Sequence, residues 1–322
     1  MKSFILPKYG LGCANRENLN YNMSNIRYNS IIDSAISHGF KYFDTAPAYC
    51  NGLSEHRLGN YFSDIPNISD YKFSTKVGKL ISPNNTSHKK SSNQRFVTTN
   101  DYSYNGIIKS VYDSLNRLRL NKLNIIFIHD LHFYYSKDPK KFLPFLKQCI
   151  KALEKIKHDG LVDLIGLGEN EYEVCDISLD YFKFDCFLIA GRYTLFEQTL
   201  PECFLKKCEK LNVPIILGGP LNSGLISNNK LSSKFYNYKN ANKSVLHKAN
   251  LIKKTCKKHK IHPVAAALQF PLFTKVIKTV IIGIQNSQEI SKNIKHINTN
   301  IPHEFWVDMK NLGFIKQFCP IK

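Results

Sequence analysis

Phe40-Lys41-Tyr42-Phe43-Asp44-Thr45-Ala46-Pro47-Ala48-Tyr49 is a short, largely apolar strand that ends on a carboxylate and runs into a loop. Before it, Ile31 to His38 carries apolar residues at helical spacing. Gly39 then supplies the residue that most easily adopts the left-handed conformation closing a helix. A helix that delivers the chain through a glycine into a buried strand with a polar end is one unit of an alternating α/β protein.

Working outward, the unit recurs. A strand over Tyr9 to Ala14 precedes it. After it come strand Lys72 to Lys76, helix Gly106 to Leu118, strand Leu123 to His129, helix Phe142 to His158 and strand Val162 to Gly168. The rest reads as a helix near Glu171, strand Cys186 to Ala190, helix Cys203 to Leu211, strand Val213 to Leu217, helix Leu246 to His259, strand Val276 to Ile282 and a last helix from Ser287. About eight strand-helix units imply parallel pairing through crossovers, and hence a (β/α)8 TIM barrel. A doubly wound sheet would need a Gly-rich turn after its first strand, but Gly10-Leu11-Gly12-Cys13-Ala14 lacks the third glycine.

Two polar stretches break the rhythm, Gly78 to Asn105 and Ser227 to Ser244. Both follow strands, so both are expected as extended loops at the C-terminal face, serving either as lids or specificity loops or as plain surface insertions. No internal repeat or linker divides residues 1–322, which read as one domain.

The formal net charge of +20 raises the question of a polyanion partner. The lysines are scattered, in clusters no longer than pairs such as Lys89-Lys90 and Lys257-Lys258. A solvated basic surface is therefore expected, and no nucleic-acid site. The 9 cysteines include no C-x-x-C pair and no zinc-site spacing, so no metal is expected and the thiols suit a reducing cytoplasm. Phe4-Ile5-Leu6 is too short for a signal-peptide core, and no apolar run reaches the ~18 residues of a membrane span.

In a barrel, a reactive residue at the C-terminal end of a strand points into the site. Asp44 ends the second strand, Tyr49 follows it, Lys76 ends the third strand and His129 ends the fourth. An ammonium beside a phenol favours the phenolate, and a carboxylate holds the ammonium in place, which would make Tyr49 a usable proton shuttle. A neutral His129 would orient a substrate oxygen. Singly, each residue has a plainer reading: Asp44 as a cap, Lys76 as a snorkelling lysine, His129 as a core histidine, Tyr49 as a packing aromatic. Their joint placement on successive strand ends favours the catalytic one.

These motifs resemble the aldo-keto reductase superfamily. Phe43 to Tyr49 with Gly52-Leu53-Ser54-Glu55 and Leu58-Gly59 is similar to its signature, and Ser74-Thr75-Lys76-Val77-Gly78 and Ile128-His129-Asp130 resemble its lysine and histidine motifs. The resemblance implies Tyr49 as general acid/base, Lys76 and Asp44 as its tuning pair, and His129 as substrate orienter. Asp101 to Tyr104, Ala190 to Gln198, Gly218 to Gly224 and Ile301 to Trp306 resemble the branch that holds D-threo-aldose (L-fucose) 1-dehydrogenase, L-galactose dehydrogenase and pyridoxal 4-dehydrogenase. That branch implies oxidation of a sugar or pyridoxal hemiacetal to the lactone by NAD or NADP.

Residue by residue, the resemblance implies cofactor contacts at Asn170, Gly218, Pro220, Leu221, Ser223, Gly283, Gln285, Glu289 and Asn293. Many relatives carry a glutamine where this chain has Ala190 and a ring-stacking tyrosine where it has Gly218. NADP-specific relatives place Lys or Arg on the last cofactor loop, where this chain has Gly283, Gln285 and Glu289, so NAD is expected over NADP. The competing expectations are an NADPH-dependent aldehyde or ketone reductase, and a nucleotide-binding barrel without activity.

Overall fold

A computed structural model of the protein describes residues 6–14, 23–84, 95–134, 139–227, 235–237 and 239–322. Eight parallel strands close into a barrel: β1 (Tyr9–Gly12), β2 (Tyr42–Asp44), β3 (Lys72–Val77), β4 (Leu123–His129), β5 (Val162–Glu169), β6 (Cys186–Ala190), β7 (Ile215–Gly218) and β8 (Ile277–Gly283). Each strand pairs with the next in sequence, and β8 pairs with β1 through Tyr9↔Val280 to Gly12↔Gly283.

The period-two alternation of strands divides the apolar residues into two layers. Tyr42, Ile125, Phe127, Cys186, Leu188, Ile216 and Ile281 form a separate buried cluster inside the barrel. Their neighbours Phe43, Ile126, Ile128, Phe187, Ile189, Leu217 and Ile282 belong to the larger core under the helices. Fully burying one such side chain contributes about 1.5–3 kcal/mol, so the alternation fixes which face each strand turns inward.

The helices are α1 (Asn25–Ser37), α2 (Leu53–Phe62), α3 (Tyr104–Leu118), α4 (Pro139–His158), α5 (Tyr172–Leu179), α6 (Glu202–Lys210), α7 (Lys243–Lys258), α8 (Pro263–Gln269), α9 (Ser287–Ile297) and α10 (His303–Asn311). Ser24, Ser103, Asn242 and Asn286 cap α1, α3, α7 and α9 by accepting from a backbone N–H three residues on. The Ser24 cap starts α1 six residues before the expected Ile31.

Several expectations are corrected. The second strand begins at Tyr42 rather than Phe40, because the Phe40 N–H still closes α1 by donating to the Ala35 carbonyl. The first strand ends at Gly12 instead of Ala14. The seventh runs Ile215–Gly218 rather than Val213 to Leu217. The stretch from Gly78 contains an antiparallel hairpin, Lys79–Pro83 with Phe96–Asn100. The stretch from Ser227 contains a short one, Phe235–Tyr236 with Lys239–Asn240. Residues 85–94, 228–234 and 238 of these stretches lie outside the described residues. Three helices went unread: α2, α8, which is buried on nearly every side and so shows no period, and α10. Among the described residues no helix is long and apolar enough to cross a membrane.

Candidate active site

The inward positions at the C-terminal rim fall into two contiguous arcs. On β2, β3 and β4 they are Asp44, Lys76 and His129, two residues beyond the inward Tyr42, Ser74 and Phe127. On β5, β6, β7, β8 and β1 the corresponding residues are Gly168, Ala190, Gly218, Gly283 and Gly12. One side of the mouth therefore carries charge and hydrogen-bonding groups, and the other is nearly bare backbone.

The polar arc is a connected set. The buried Lys76 Nζ donates to Asp44 Oδ2 and to the Thr45 carbonyl, both at 2.8 Å. Asp44 Oδ1 accepts from Ser74 Oγ at 2.7 Å, and Ser74 Oγ meets the Tyr42 hydroxyl at 2.8 Å. Burial works against the Lys76 ammonium, but Asp44, together with Tyr49, outweighs it and raises Lys76 above the ordinary lysine value. Lys76 Nζ lies 4.7 Å from the centre of the Tyr49 ring. Tyr49 and His129 meet edge to face, with ring centres 6.2 Å apart. The structure thus brings the four residues Asp44, Tyr49, Lys76 and His129 together.

His129 is neutral at ordinary pH, because burial pushes its pKa down to about 3 against the pull of Asp130. Its Nδ1 is buried with no hydrogen-bond partner, and Nε2 lies 3.5 Å from Asp130 Oδ2. A lone proton on the ring therefore favours Nε2, the nitrogen nearer the carboxylate. Tyr102, at the entry to α3, donates from its hydroxyl to the His129 carbonyl at 2.5 Å and fixes the backbone there.

Behind this lies a carboxylate that sequence reasoning passed over. Glu169, on the outward face of β5 and 1% exposed, accepts from Leu131 N at 2.6 Å and from His132 N at 3.3 Å, and is 2.8 Å from His132 Nδ1. Burial pushes the Glu169 carboxyl up to about 7, and the hydrogen bond to Glu169 raises His132, so the pair retains a proton near neutrality. Glu55 of the signature is likewise buried and structural: Thr75 Oγ1 donates to one oxygen at 2.5 Å and Arg117 Nε to the other at 2.7 Å.

The bare arc continues into two loops. Asn170 follows β5, and its carbonyl accepts from Arg192 Nε at 3.0 Å. A Cβ at Gly218 would meet that of Ala190 at 3.4 Å, so any larger side chain there would project into the mouth. Pro220, Leu221 and Ser223 lie in a tight turn in which Asn222 (φ 46°) and Ser223 (φ 62°) both take the left-handed conformation. Asn222 holds that turn in place, with its Oδ1 2.6 Å from Thr194 Oγ1 and its Nδ2 donating to the Gly191 carbonyl at 3.3 Å. Nearly bare backbone, with the Ala190 methyl its one Cβ, at successive strand ends beside a preformed turn fits a planar ring with a polar tail, the shape of a nicotinamide dinucleotide.

On the last loop, Glu289 reaches back beyond the α9 N-cap, Asn286. Its Oε2 accepts from Gln285 N at 3.0 Å and its Oε1 from Asn286 Nδ2 at 3.1 Å. The carboxylate thus sits at the α9 N-terminus with both oxygens engaged. Asn293 is buried on the same helix, while Gly283 is exposed with nothing within 4 Å of a Cβ there. Arg27, which the sequence did not single out, donates from Nη2 to the Gln285 carbonyl at 3.1 Å and brings a cation to this loop. Only the fold, by packing α1 against α9, makes them neighbours.

The chain is similar to known proteins over nearly its whole length. The sequence profile described as the Aldo/keto reductase family matches residues 8–313. A pyridoxal 4-dehydrogenase from Microbacterium luteolum is 28% identical, over 95% of this chain and 94% of its own. A D-threo-aldose 1-dehydrogenase from a Pseudomonas species is also 28% identical, over 96% and 95%. An L-galactose dehydrogenase from Arabidopsis thaliana is 27% identical, over 82% and 75%. Among solved structures, the holo form of an aldo-keto reductase from Bacillus halodurans superposes with a TM-score of 0.74 at 21% identity, over 95% of this chain and 91% of that one.

Proposed function

The chain belongs to the aldo/keto reductase family, and on that premise we propose that it oxidises the C1 hemiacetal of an aldose of the L-fucose, D-arabinose or L-galactose type, or of pyridoxal, to the lactone with NAD⁺. The observation that carries this reading is the assembly of Asp44, Lys76, Tyr49 and His129 on one arc of the rim, facing a bare arc. Two relatives that align over more than nine-tenths of both chains are named for aldose and pyridoxal dehydrogenation.

Tyr49 takes the hydroxyl proton of the hemiacetal. The Lys76 ammonium, held charged by Asp44, favours the phenolate that receives it. Neutral His129 donates from Nε2 to a substrate oxygen and so orients the reacting carbon. The oxidised nicotinamide, when bound, supplies the acceptor for the hydride from C1. Asn170, Gly218, Pro220, Leu221 and Ser223 would hold its nicotinamide and phosphate end, and Gly283, Gln285, Glu289 and Asn293 its adenosine end. The negative charge of Glu289 disfavours a 2′-phosphate, which supports NAD over NADP.

A second reading is NADPH-dependent reduction of an aldehyde, and the observation that favours it is Arg27 beside Gln285, a guanidinium able to pair a phosphate. A nucleotide-binding barrel without activity is the weaker alternative, since all four polar residues are in place. In this reading residues 1–322 form one domain with a small-molecule substrate and no nucleic-acid partner. Residence in the cytoplasm rests on the cysteine pattern, an odd nine with no C-x-x-C pair.

The test is absorbance at the reduced-nicotinamide band, with NAD⁺ or NADP⁺ against L-fucose, D-arabinose, L-galactose and pyridoxal. Turnover with NAD⁺ that falls by about 10²–10⁴ in Tyr49→Phe is expected. NADPH-driven aldehyde reduction in place of it would establish the second reading, and nucleotide binding without turnover the third.

A further inference from the structure

We propose that Asp130 and Lys79 form a hydroxyl-reading pair at the rim, recognising the hydroxyl on the carbon next to the one oxidised and so selecting cyclic aldoses over simple aldehydes. The assignment rests on the aldose reading above. Asp130 directly follows β4, where the next side chain of a regular strand would turn outward to the helices. Instead Asp130 takes φ 56°, a left-handed conformation uncommon outside glycine, asparagine and aspartate. The turn brings its carboxylate back to the His129 edge, 3.5 Å from Nε2.

Neighbours on both sides hold that conformation. The Asp130 N–H donates to the Gly168 carbonyl at 3.0 Å, and Glu169 accepts from the two following amides. Lys79, the first residue of the hairpin after β3, reaches over and donates from Nζ to Asp130 Oδ2. Both side chains are partly exposed at the mouth, 15% for Lys79 and 19% for Asp130. A left-handed turn held in place at a cleft by surrounding contacts fixes where the carboxylate points. The pair contributes nothing to the proton path of Tyr49, so a different use has to be found for it.

Carboxylate and ammonium side by side offer an acceptor and a donor, which matches a hydroxyl, itself both donor and acceptor. Burial works against the Asp130 charge, but the Lys79 ammonium that donates to it holds the carboxyl below its ordinary range, so it stays an acceptor. In a cyclic hemiacetal the oxygen bound by His129 is on C1, and the nearest further hydroxyl is on C2. A group beside the His129 edge is placed for that second oxygen. Lys79 belongs to the stretch whose sequence left open a specificity loop or a plain surface insertion, and the pairing supports the specificity loop.

The experiment compares oxidation of D-arabinose with that of 2-deoxy-D-ribose, the same pentose without the C2 hydroxyl, in the wild type, Asp130→Asn and Lys79→Met. The wild type should prefer D-arabinose, and each variant should shrink that preference by at least about tenfold, mainly through KM for D-arabinose. Equal losses on both sugars, as expected if Asp130 acts only by placing His129, or an unchanged preference, would overturn the assignment and leave the aldose reading standing. Failure of the wild type to oxidise D-arabinose, L-fucose and L-galactose alike, with NADH binding intact by fluorescence, would overturn the aldose reading and the assignment with it.

Discussion

The Lys76–Asp44 pair is the most consequential contact between single residues. Lys76 is 2% exposed, so replacing it with methionine would leave the Asp44 carboxylate buried without its cation. Lys76→Met is expected to lower stability by about 3–5 kcal/mol in denaturant unfolding, beyond its loss of activity. His129 gives the opposite kind of test. Its folded pKa, about 3, lies below the ordinary 6.5, so the unfolded chain binds the extra proton and the folded chain does not. Stability from this residue is complete above pH 6.5 and is lost as pH falls towards 3. His129→Gln should therefore flatten part of the acid-side decline in unfolding free energy; a decline equally steep in the variant would contradict the neutral buried imidazole. Asp44, Lys76 and His129 were legible in the sequence because a strand end fixes direction as well as position. Glu169 and Asp130 were not, because their use depends on a left-handed turn and on a contact between β5 and the loop after β4, neither of which shows in local periodicity.

At the scale of elements, the strands were easier to read than the helices between them. A strand buried on both faces is an apolar run bounded by polar residues. α8, with Val264 to Leu268 all buried, gives no amphipathic stripe to recognise, and α2 has its stripe interrupted by the buried Glu55. The hairpin after β3 escaped notice because its strands mix apolar and polar residues without a clean alternation and none of these residues is fully buried. It is nonetheless tightly joined to the barrel through Gly78, which takes φ 97° and would place a Cβ 2.2 Å from the Tyr102 ring. Since Tyr102 also holds the His129 carbonyl, Gly78→Ala should cost about 1–3 kcal/mol and reduce kcat together with stability. Wild-type activity in that variant would show that the hairpin and the fourth strand end are not coupled.

For the whole molecule, the charge of +20 and the nine thiols lead to two further expectations. Surface lysines Lys109, Lys155 and Lys206 sit in i,i+4 pairs with Asp113, Asp159 and Glu202, which contribute little and are screened by salt. The protein should pass a DNA column at about 0.15 M salt, where the Debye length is about 8 Å; retention there would show a basic surface more organised than scattered lysines. Of the cysteines, only Cys203 is exposed. Burial pushes the thiols of Cys13, Cys50, Cys149, Cys208 and Cys256 up to about 12. A thiol reagent should thus modify one group rapidly in the native protein and the rest only on unfolding.

The division of the rim into a bare and a polar arc has a geometric consequence of its own. Strand order around a closed barrel is fixed, so the two arcs are met in a single sense and the mouth is chiral. A flat ring resting one side on glycine and alanine backbone can present only its other side to Tyr49 and His129. Deuterium carried on the reacting carbon of an oxidised substrate should accordingly appear at one of the two prochiral positions of the reduced coenzyme and be absent from the other.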